Sequence, residues 1–590
     1  MAVRFRLGAQ NNFEDKIFCV NAMIFIFFLL LILFTPRQIY AVYDPSSVPN
    51  NKYGIHIADS NDIDQVGPLV NSSGGDWGYV TFVISENDRN VAKWQKIFDQ
   101  MRRLHLIPIV RLATHVEGNA WSIPKKDSFR EWVDFLNKLR WIVKNRYVII
   151  FNEPNHANEW GRTIRPEEYA DILVTFGKAL KEASSDFFIL PAGLDASASN
   201  DGEALDERAF VERMLAAKPE IINLIDGWTS HSYPNPGFSG SPYAWGRGTL
   251  RTFDWELNLL HQFGVSKALP VFITETGWIH SQGKILNNGL LPPEKVGENL
   301  KVAGTMIWSD PRIVAITPFV FNYQDYPFDH FSWRKLGSNE YYPHYFSYQI
   351  IAKQKGRPKQ LHRYELTSPF LPGKMITGSS YTFATNIINI GESILDPSDA
   401  FDLTIDDAGK GFSIYADPVP TVEPGETGTI TIHIKTPQAP GKYSLSVNLK
   451  HFDETIPIEQ KDVTVLPPPA VRIRAQLGWR KINEASNVSL LVYKKNTLIH
   501  KFTDLTLKNG SLTVSGLIGV VPKEEYRVVM LVPYYLPRQA VVTLNEELAD
   551  ITMKRFVPLD FNNDGTFTIA DLFALFQLQP NAVVNLFFGP

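Results

Sequence analysis

Between residues 53 and 321, eight short apolar runs alternate with longer amphipathic stretches, and that alternation excludes most folds. The runs lie at 53–58, 78–84, 106–112, 147–151, 187–190, 224–230, 270–274 and 313–321. Helix-like segments lie between them, for instance 90–103, 128–144, 166–183 and 293–307. Pro166, followed by Glu167 and Glu168, marks a helix first turn: its missing N–H is not needed there, and acids complement the helix dipole. Apolar runs joined by helices point to parallel strands buried on both faces. Eight such units in about 300 residues predict an α/β fold, a (β/α)8 barrel of the TIM type, over residues 42–358. No glycine-rich phosphate loop follows the first run, which argues against a doubly wound open sheet.

Two of the runs end in a glutamate. Residues 147–156 read YVIIFNEPNH, so an apolar strand pushes Asn152 and Glu153 out of its end and Pro154 stops further pairing. Residues 270–278 read PVFITETGW and place Glu275 and Trp278 in the same way. A charged group at the end of a buried strand calls for a partner. As strands four and seven of a barrel, the two runs would point both carboxylates into one mouth, the face where barrel active sites are built. Carboxyls about 5–5.5 Å apart suit retaining glycoside hydrolysis, one attacking the anomeric carbon and one protonating the leaving oxygen. Residues 228–234, WTSHSYP, end the sixth run with His231 and Tyr233 two apart, on one face of a strand. Arg111 ends the third run and His56 lies in the first, where they could hold charge and line the floor. Asn152 is placed to donate to a sugar hydroxyl. Trp160, Trp245, Trp278 and Trp333 are candidate stacking faces for sugar rings.

The Asn-Glu-Pro ending one strand and the Thr-Glu-Thr-Gly-Trp ending a later one resemble the clan A retaining glycoside hydrolases, with families 5 and 39 the most similar. The resemblance covers about 300 residues and implies the eight-stranded barrel. It implies Glu153 as acid/base, Glu275 as nucleophile, and a His231/Tyr233 pair hydrogen-bonding them, with Tyr233 orienting Glu275. The clan often carries a Trp at the end of strand eight; here the aromatics are Phe321 and Tyr323. The expected activity is cleavage of an O-glycosidic, β-type bond in a polysaccharide or oligosaccharide by double displacement. A catalytically silent glycan-binding or adhesion protein on the same barrel is the alternative. A transglycosylase would use the same residues.

Past residue 358 the texture changes to alternating β-type runs with Pro/Gly turns, which predicts an Ig-like β-sandwich over 359–466. Pro467, Pro468 and Pro469 read as a stiff linker at 467–470. Short strands continue over 471–556, where the stretch around Tyr535-Leu536-Pro537-Arg538 resembles a carboxypeptidase-regulatory-like sandwich. In 557–590, Asp560, Asn562, Asp564, Thr568 and Asp571 fall at positions 1, 3, 5, 9 and 12 of a twelve-residue loop, with Gly565 at the sharp turn and the Thr566 carbonyl at position 7. That pattern fits Ca2+ and resembles one loop of a dockerin, an EF-hand-like tail. Dockerins carry two such loops and only one is visible. A cohesin-like or cell-surface partner and a calcium-clipped end to the preceding sandwich both follow from it.

The stretch 22–34, AMIFIFFLLLILF, follows Arg4, Arg6 and Lys16. It reads as a signal peptide or an N-terminal membrane anchor within residues 1–41, which makes the expected location secreted or extracellular. Cys19 is the single cysteine, so neither a disulfide nor a thiolate zinc site is available beyond it. A formal net charge of -4 gives no basis for nucleic acid as a partner.

Overall fold

The computed structural model describes residues 42–367, 372–407, 409–544, 548–581 and 583–584. The apolar stretch expected to serve as signal or anchor lies outside them. The chain forms two compact units, 1–360 and 361–590.

The first unit is built on eight strands: β1 (Gly54–Ile57), β2 (Gly78–Ser85), β3 (Leu106–Ala113), β4 (Arg146–Ile150), β5 (Phe187–Pro191), β6 (Trp228–His231), β7 (Val271–Glu275) and β8 (Ile313–Ile316). All pair in parallel, β1 to β5 in one sheet and β6 to β8 in another. Parallel bridges from Tyr53 to Ile316 and from Asp195 to His231 join the sheets at both margins, consistent with an eight-stranded α/β barrel. Helices α1 (Ile63–Val70), α2 (Val91–Arg103), α3 (Phe129–Lys138), α4 (Pro166–Ala183), α5 (Glu207–Ala217), α6 (Thr252–Gln262), α7 (Pro293–Met306) and α8 (Pro343–Gln349) accompany the strands. Tyr147 meets Phe188 and Phe272 at ring centroid distances of 5.0 and 5.4 Å and Tyr79 at 6.0 Å, one aromatic from each of four strands. This is a packed core and not a pore.

Three elements are shorter than their apolar runs. The run 224–230 begins with a helical turn, Ile221–Leu224, and β6 starts only at Trp228. The run 313–321 stops pairing after Ile316, before Pro318, which has no N–H to give. The helix expected over 128–144 ends at Lys138, because Leu139, Trp141, Ile142 and Val143 are all buried. Three consecutive buried residues within that set cannot share one helical stripe.

Glu207, at the start of α5, and Glu256, in α6, are both buried. Burial first, and then the other's charge, push the Glu207 carboxyl well above its usual range; burial raises Glu256 as well. A carboxyl with a raised folded-state pKa carries no charge penalty while protonated. The pair's penalty therefore grows as pH climbs from the ordinary carboxylate range to neutrality and beyond. Glu256→Gln should flatten the fall in melting temperature between about pH 5 and about pH 8. An unchanged slope would place the pH dependence elsewhere.

In the second unit, one pair of four-stranded sheets contains Tyr364–Leu366, Ser380–Asn389, Thr427–Lys435 and Ser413–Ala416, and opposite them Lys374–Ile376, Glu454–Leu466, Gly441–His451 and Phe401–Asp406. A second pair follows, three strands around Ala470–Arg474 and four around Ala485–Lys494 and Glu525–Val532. Alternating burial along these strands is what two facing sheets require. The two cores interlock: Ile376 sits in the second and Val521 in the first. Tyr381 donates its hydroxyl hydrogen to the Val520 carbonyl at 2.8 Å, and Gly519 N donates to Ser379 Oγ at 2.6 Å. Within the proline run, Pro469 is buried and its carbonyl accepts from Leu517 N at 3.4 Å.

The 560–571 loop is fastened to the second sandwich. Phe561 lies in its core, with Ala574, Leu575 and Leu578 packed on it, and Tyr534 N donates to Asn563 Oδ1 at 2.7 Å. Gly565 has φ +87°, as the sharp turn needs. Asp560 accepts from the amides of Asp564 and Gly565 at 2.9 and 3.0 Å. Asp571 accepts from Thr568 N at 2.7 Å, closing a capping box on the helix Ile569–Gln577.

Candidate active site

β4 delivers its polar end abruptly. Tyr147 to Ile150 are buried, and then Phe151 and Glu153 both adopt positive φ, +67° and +29°. Side chains other than glycine hold that conformation only where the surroundings fix it. Here Glu153 N donates to the Gly193 carbonyl at 3.1 Å, and His156 N donates to the Glu153 carbonyl at 2.9 Å. β7 ends on Glu275, itself buried. Pairing between β6 and β7 slips between Ser230 and His231, so His231 comes level with Glu275. Gly193 makes room for the imidazole: a Cβ there would lie 2.3 Å from the His231 ring.

The structure brings together Glu153, Glu275, His231, Tyr233, Arg111 and Asn152. One carboxylate oxygen of each glutamate and a nitrogen of His231 lie within 4.8 Å of one another. His231 Nδ1 is 2.6 Å from Glu153 Oε1 and 3.8 Å from Glu275 Oε2. Tyr233 lies past the end of β6, and its hydroxyl donates to Glu275 Oε2 at 3.1 Å. The expected His/Tyr pair thus divides, one residue to each carboxylate. Arg111, on β3, is ion-paired with Glu275 and donates to Asn152 Oδ1 at 2.8 Å.

This setting favours the charged form of Glu275. Burial acts against the charged form of Glu275, but His231 and Arg111 outweigh it and hold the carboxyl well below its usual range. His231 is shifted upward: burial opposes its charge, and the two glutamates more than compensate. Glu275 is therefore the ionised partner, with donors fixed on both oxygens.

Two expected contacts take other places. His56 is buried beneath Phe319, ring centroids 5.0 Å apart, and stands behind the cleft lining, where burial lowers its pKa to about 3. Trp278 is buried and donates Nε1–H to the Gly240 carbonyl at 2.8 Å, so it pins a loop and offers no face to a sugar. The cleft, about 520 Å3, takes its aromatic walls from Trp121, Phe151, Trp160, Tyr233, Phe238, Phe319, Phe328 and Phe331. Phe321 is fully buried, and Phe319 occupies the exit of strand eight in its place. Of the other tryptophans, Trp160 is largely buried yet lines the cleft, Trp333 is buried, and Trp245 is exposed under Arg251.

A third carboxylate was not foreseen. Glu159 lines the cleft and accepts from Asn152 Nδ2 at 3.3 Å. Burial, then the charge of Glu153, raises it to about 7. Its only sequence signal is an acid six residues beyond Glu153, in a segment without periodicity. His156 and Asp195, 2.9 Å apart, complete that wall.

No family model matches the sequence, and no curated protein matches it. Among solved structures, the chain is similar to a family 39 glycoside hydrolase from the gut symbiont Bacteroides cellulosilyticus, at 12% identity over 67% of this chain and 82% of that one, with a TM-score of 0.37. It is similar to an endo-beta-1,4-glucanase from Xanthomonas axonopodis pv. citri at 13% identity, over 51% of this chain and 99% of that one, TM-score 0.36. Endo-glycoceramidase II from Rhodococcus sp. matches at 12% identity, over 67% of this chain and 99% of that one, TM-score 0.31. At such scores and identities, the chemistry of this cleft rests on its own residues.

Proposed function

We propose that the first unit is a retaining glycosidase of clan A type, acting on O-glycosidic, β-type bonds of a polysaccharide or oligosaccharide. The observation that carries this is the glutamate pair, oxygens within 4.8 Å, with one partner held ionised by Arg111 and Tyr233. The spacing favours a covalent glycosyl intermediate over a water-spanning, inverting arrangement, which needs about 6.5–9.5 Å. Glu275 attacks the anomeric carbon while Glu153 protonates the departing oxygen. Glu153 then takes a proton from water, which displaces Glu275. Asn152, held between Arg111 and Glu159, presents its amide beside the reacting carbon. The aromatic walls supply flat faces for sugar rings. The test is incubation of the purified chain with a broad panel of plant, fungal and bacterial glycans, following released sugars and their anomeric form by NMR. Products of retained configuration are expected. Inverted products, or none from the whole panel, would overturn the reading, and the latter would favour a glycan-binding barrel.

Export by the apolar stretch at 22–34, as signal or anchor, accords with a polymeric substrate. The donor set of the 560–571 loop fits Ca2+ in residue type and turn, although its carboxylates here serve backbone amides. A bound ion would clip the loop to the second sandwich, to which it is already fastened. Ca2+ at a hundredfold excess over Kd should stabilise the second unit by about 2.7 kcal/mol, and chelation should reverse this. Calorimetric traces that coincide with and without calcium would remove the ion from the account. A cohesin-like or cell-surface partner remains a proposal for the same tail.

A further inference from the structure

In the second unit, two histidines and a glutamate converge. One ring nitrogen each of His362 and His451 and a carboxylate oxygen of Glu454 lie within 4.8 Å of one another. His362 precedes the strand Tyr364–Leu366. His451 and Glu454 are paired across the turn between Gly441–His451 and Glu454–Leu466. Asp399, in the 3-10 turn Pro397–Asp399, reaches the same place, its Oδ2 3.4 Å from His451 Nε2.

The contacts suit ligands around an ion better than a hydrogen-bond network. His362 Nε2 is 3.9 Å from Glu454 Oε2, beyond hydrogen-bond range. His451 Nε2 is buried and has no hydrogen-bond partner among the described residues, its 3.4 Å approach to Asp399 notwithstanding. Two ligands each about 2.0–2.1 Å from a tetrahedral zinc ion are about 3.3 Å apart, so these gaps are close to ligand-to-ligand spans. The outer contacts agree. His362 Nδ1 bonds Ser393 Oγ at 2.7 Å, and that oxygen also meets the Tyr364 hydroxyl at 3.1 Å. A ligating histidine normally anchors its other ring nitrogen in this manner, which leaves Nε2 free to bind. His451 is fixed by stacking on Phe401, centroids 4.1 Å apart and planes 8° from parallel. The histidine side chains are 9% and 14% exposed and those of Glu454 and Asp399 59% and 54%, so the pocket has an apolar back and an open, acidic front through which an ion could enter.

We propose that His362, His451 and Glu454, with the Asp399 carboxylate beside His451, form a binding site for a divalent transition-metal ion of the zinc class. Imidazole with carboxylate selects such ions over calcium or magnesium, which prefer all-oxygen sites. The ion would clip the turn after His451 to the segment entering the sandwich and to the turn before Phe401, a structural role that stabilises the fold.

The test uses the full chain, stripped with chelator and titrated with Co2+ and then Zn2+. Wild type should bind Co2+ with the intense visible d–d bands of a tetrahedral site and release it to Zn2+. Glu454→Gln and Asp399→Asn change exposed groups and should leave the fold intact while weakening uptake at least tenfold. His451→Ala should abolish the bands. Absence of tetrahedral bands in wild type would overturn the proposal. So would uptake that all three variants leave unchanged, since the ion would then sit elsewhere, in the 560–571 loop or against the cleft glutamates.

Discussion

Glu275→Gln should lower kcat on a glycoside substrate by about 10^4-fold or more, at least about 5 kcal/mol of barrier. The amide matches the carboxylate in size and can still accept from Tyr233, so the fold should persist. What is lost is the attacking oxygen and the negative charge that Arg111 and His231 are arranged to hold. No covalent intermediate can then form, and no external nucleophile stands in while the amide fills the site. Rates measured on a substrate found in the glycan panel, together with a melting curve to show the variant is folded, decide the matter. Residual activity above about a tenth of wild type would mean that Glu275 is not the nucleophile.

Glu153→Ala should separate substrates by leaving group. For an ordinary sugar leaving group, the departing oxygen needs a proton, and loss of the acid should cost about 10^2- to 10^4-fold. An aryl glycoside with an acidic phenol leaves without that help, so formation of the intermediate should be nearly spared. Its hydrolysis should then be slow, because the base that activates water is also missing. Azide, a nucleophile that needs no deprotonation, should restore turnover and give a glycosyl azide of retained configuration. Equal losses on both substrate classes, with no rescue, would assign Glu153 a structural place beside His231.

The barrel and the pair at its mouth were legible because both depend on local patterns. A buried strand is a run of apolar residues, and a carboxylate at its end interrupts the run where it can be seen. Glu159 was not legible, because its place is set by the fold of the 154–165 loop, where no periodicity fixes a direction. Trp278 misled for a related reason. It follows Glu275 as closely as a cleft residue would, but the chain turns at Gly277, φ +117°, and the indole goes to Gly240. His56 sits in a strand whose four residues are all buried, and nothing in the sequence tells which of them reaches the cavity. The contact of Glu207 with Glu256 joins two helices, and helical periodicity says which face is inward without naming what waits there. The cluster of His362, His451 and Glu454 in the second unit joins segments far apart in the chain and has the same invisibility.

The exchange of Ile376 and Val521 between the two sandwich cores has a consequence for how the second unit comes apart. A strand belonging to one sandwich plugs the other, and a loop of the second fills the first. Neither can melt without opening a hole in its neighbour. Pro469, buried and with its carbonyl bonded to Leu517 N, adds to that join. Heat should release them in a single calorimetric step, and Val521→Ala should shift that whole step downward without splitting it in two.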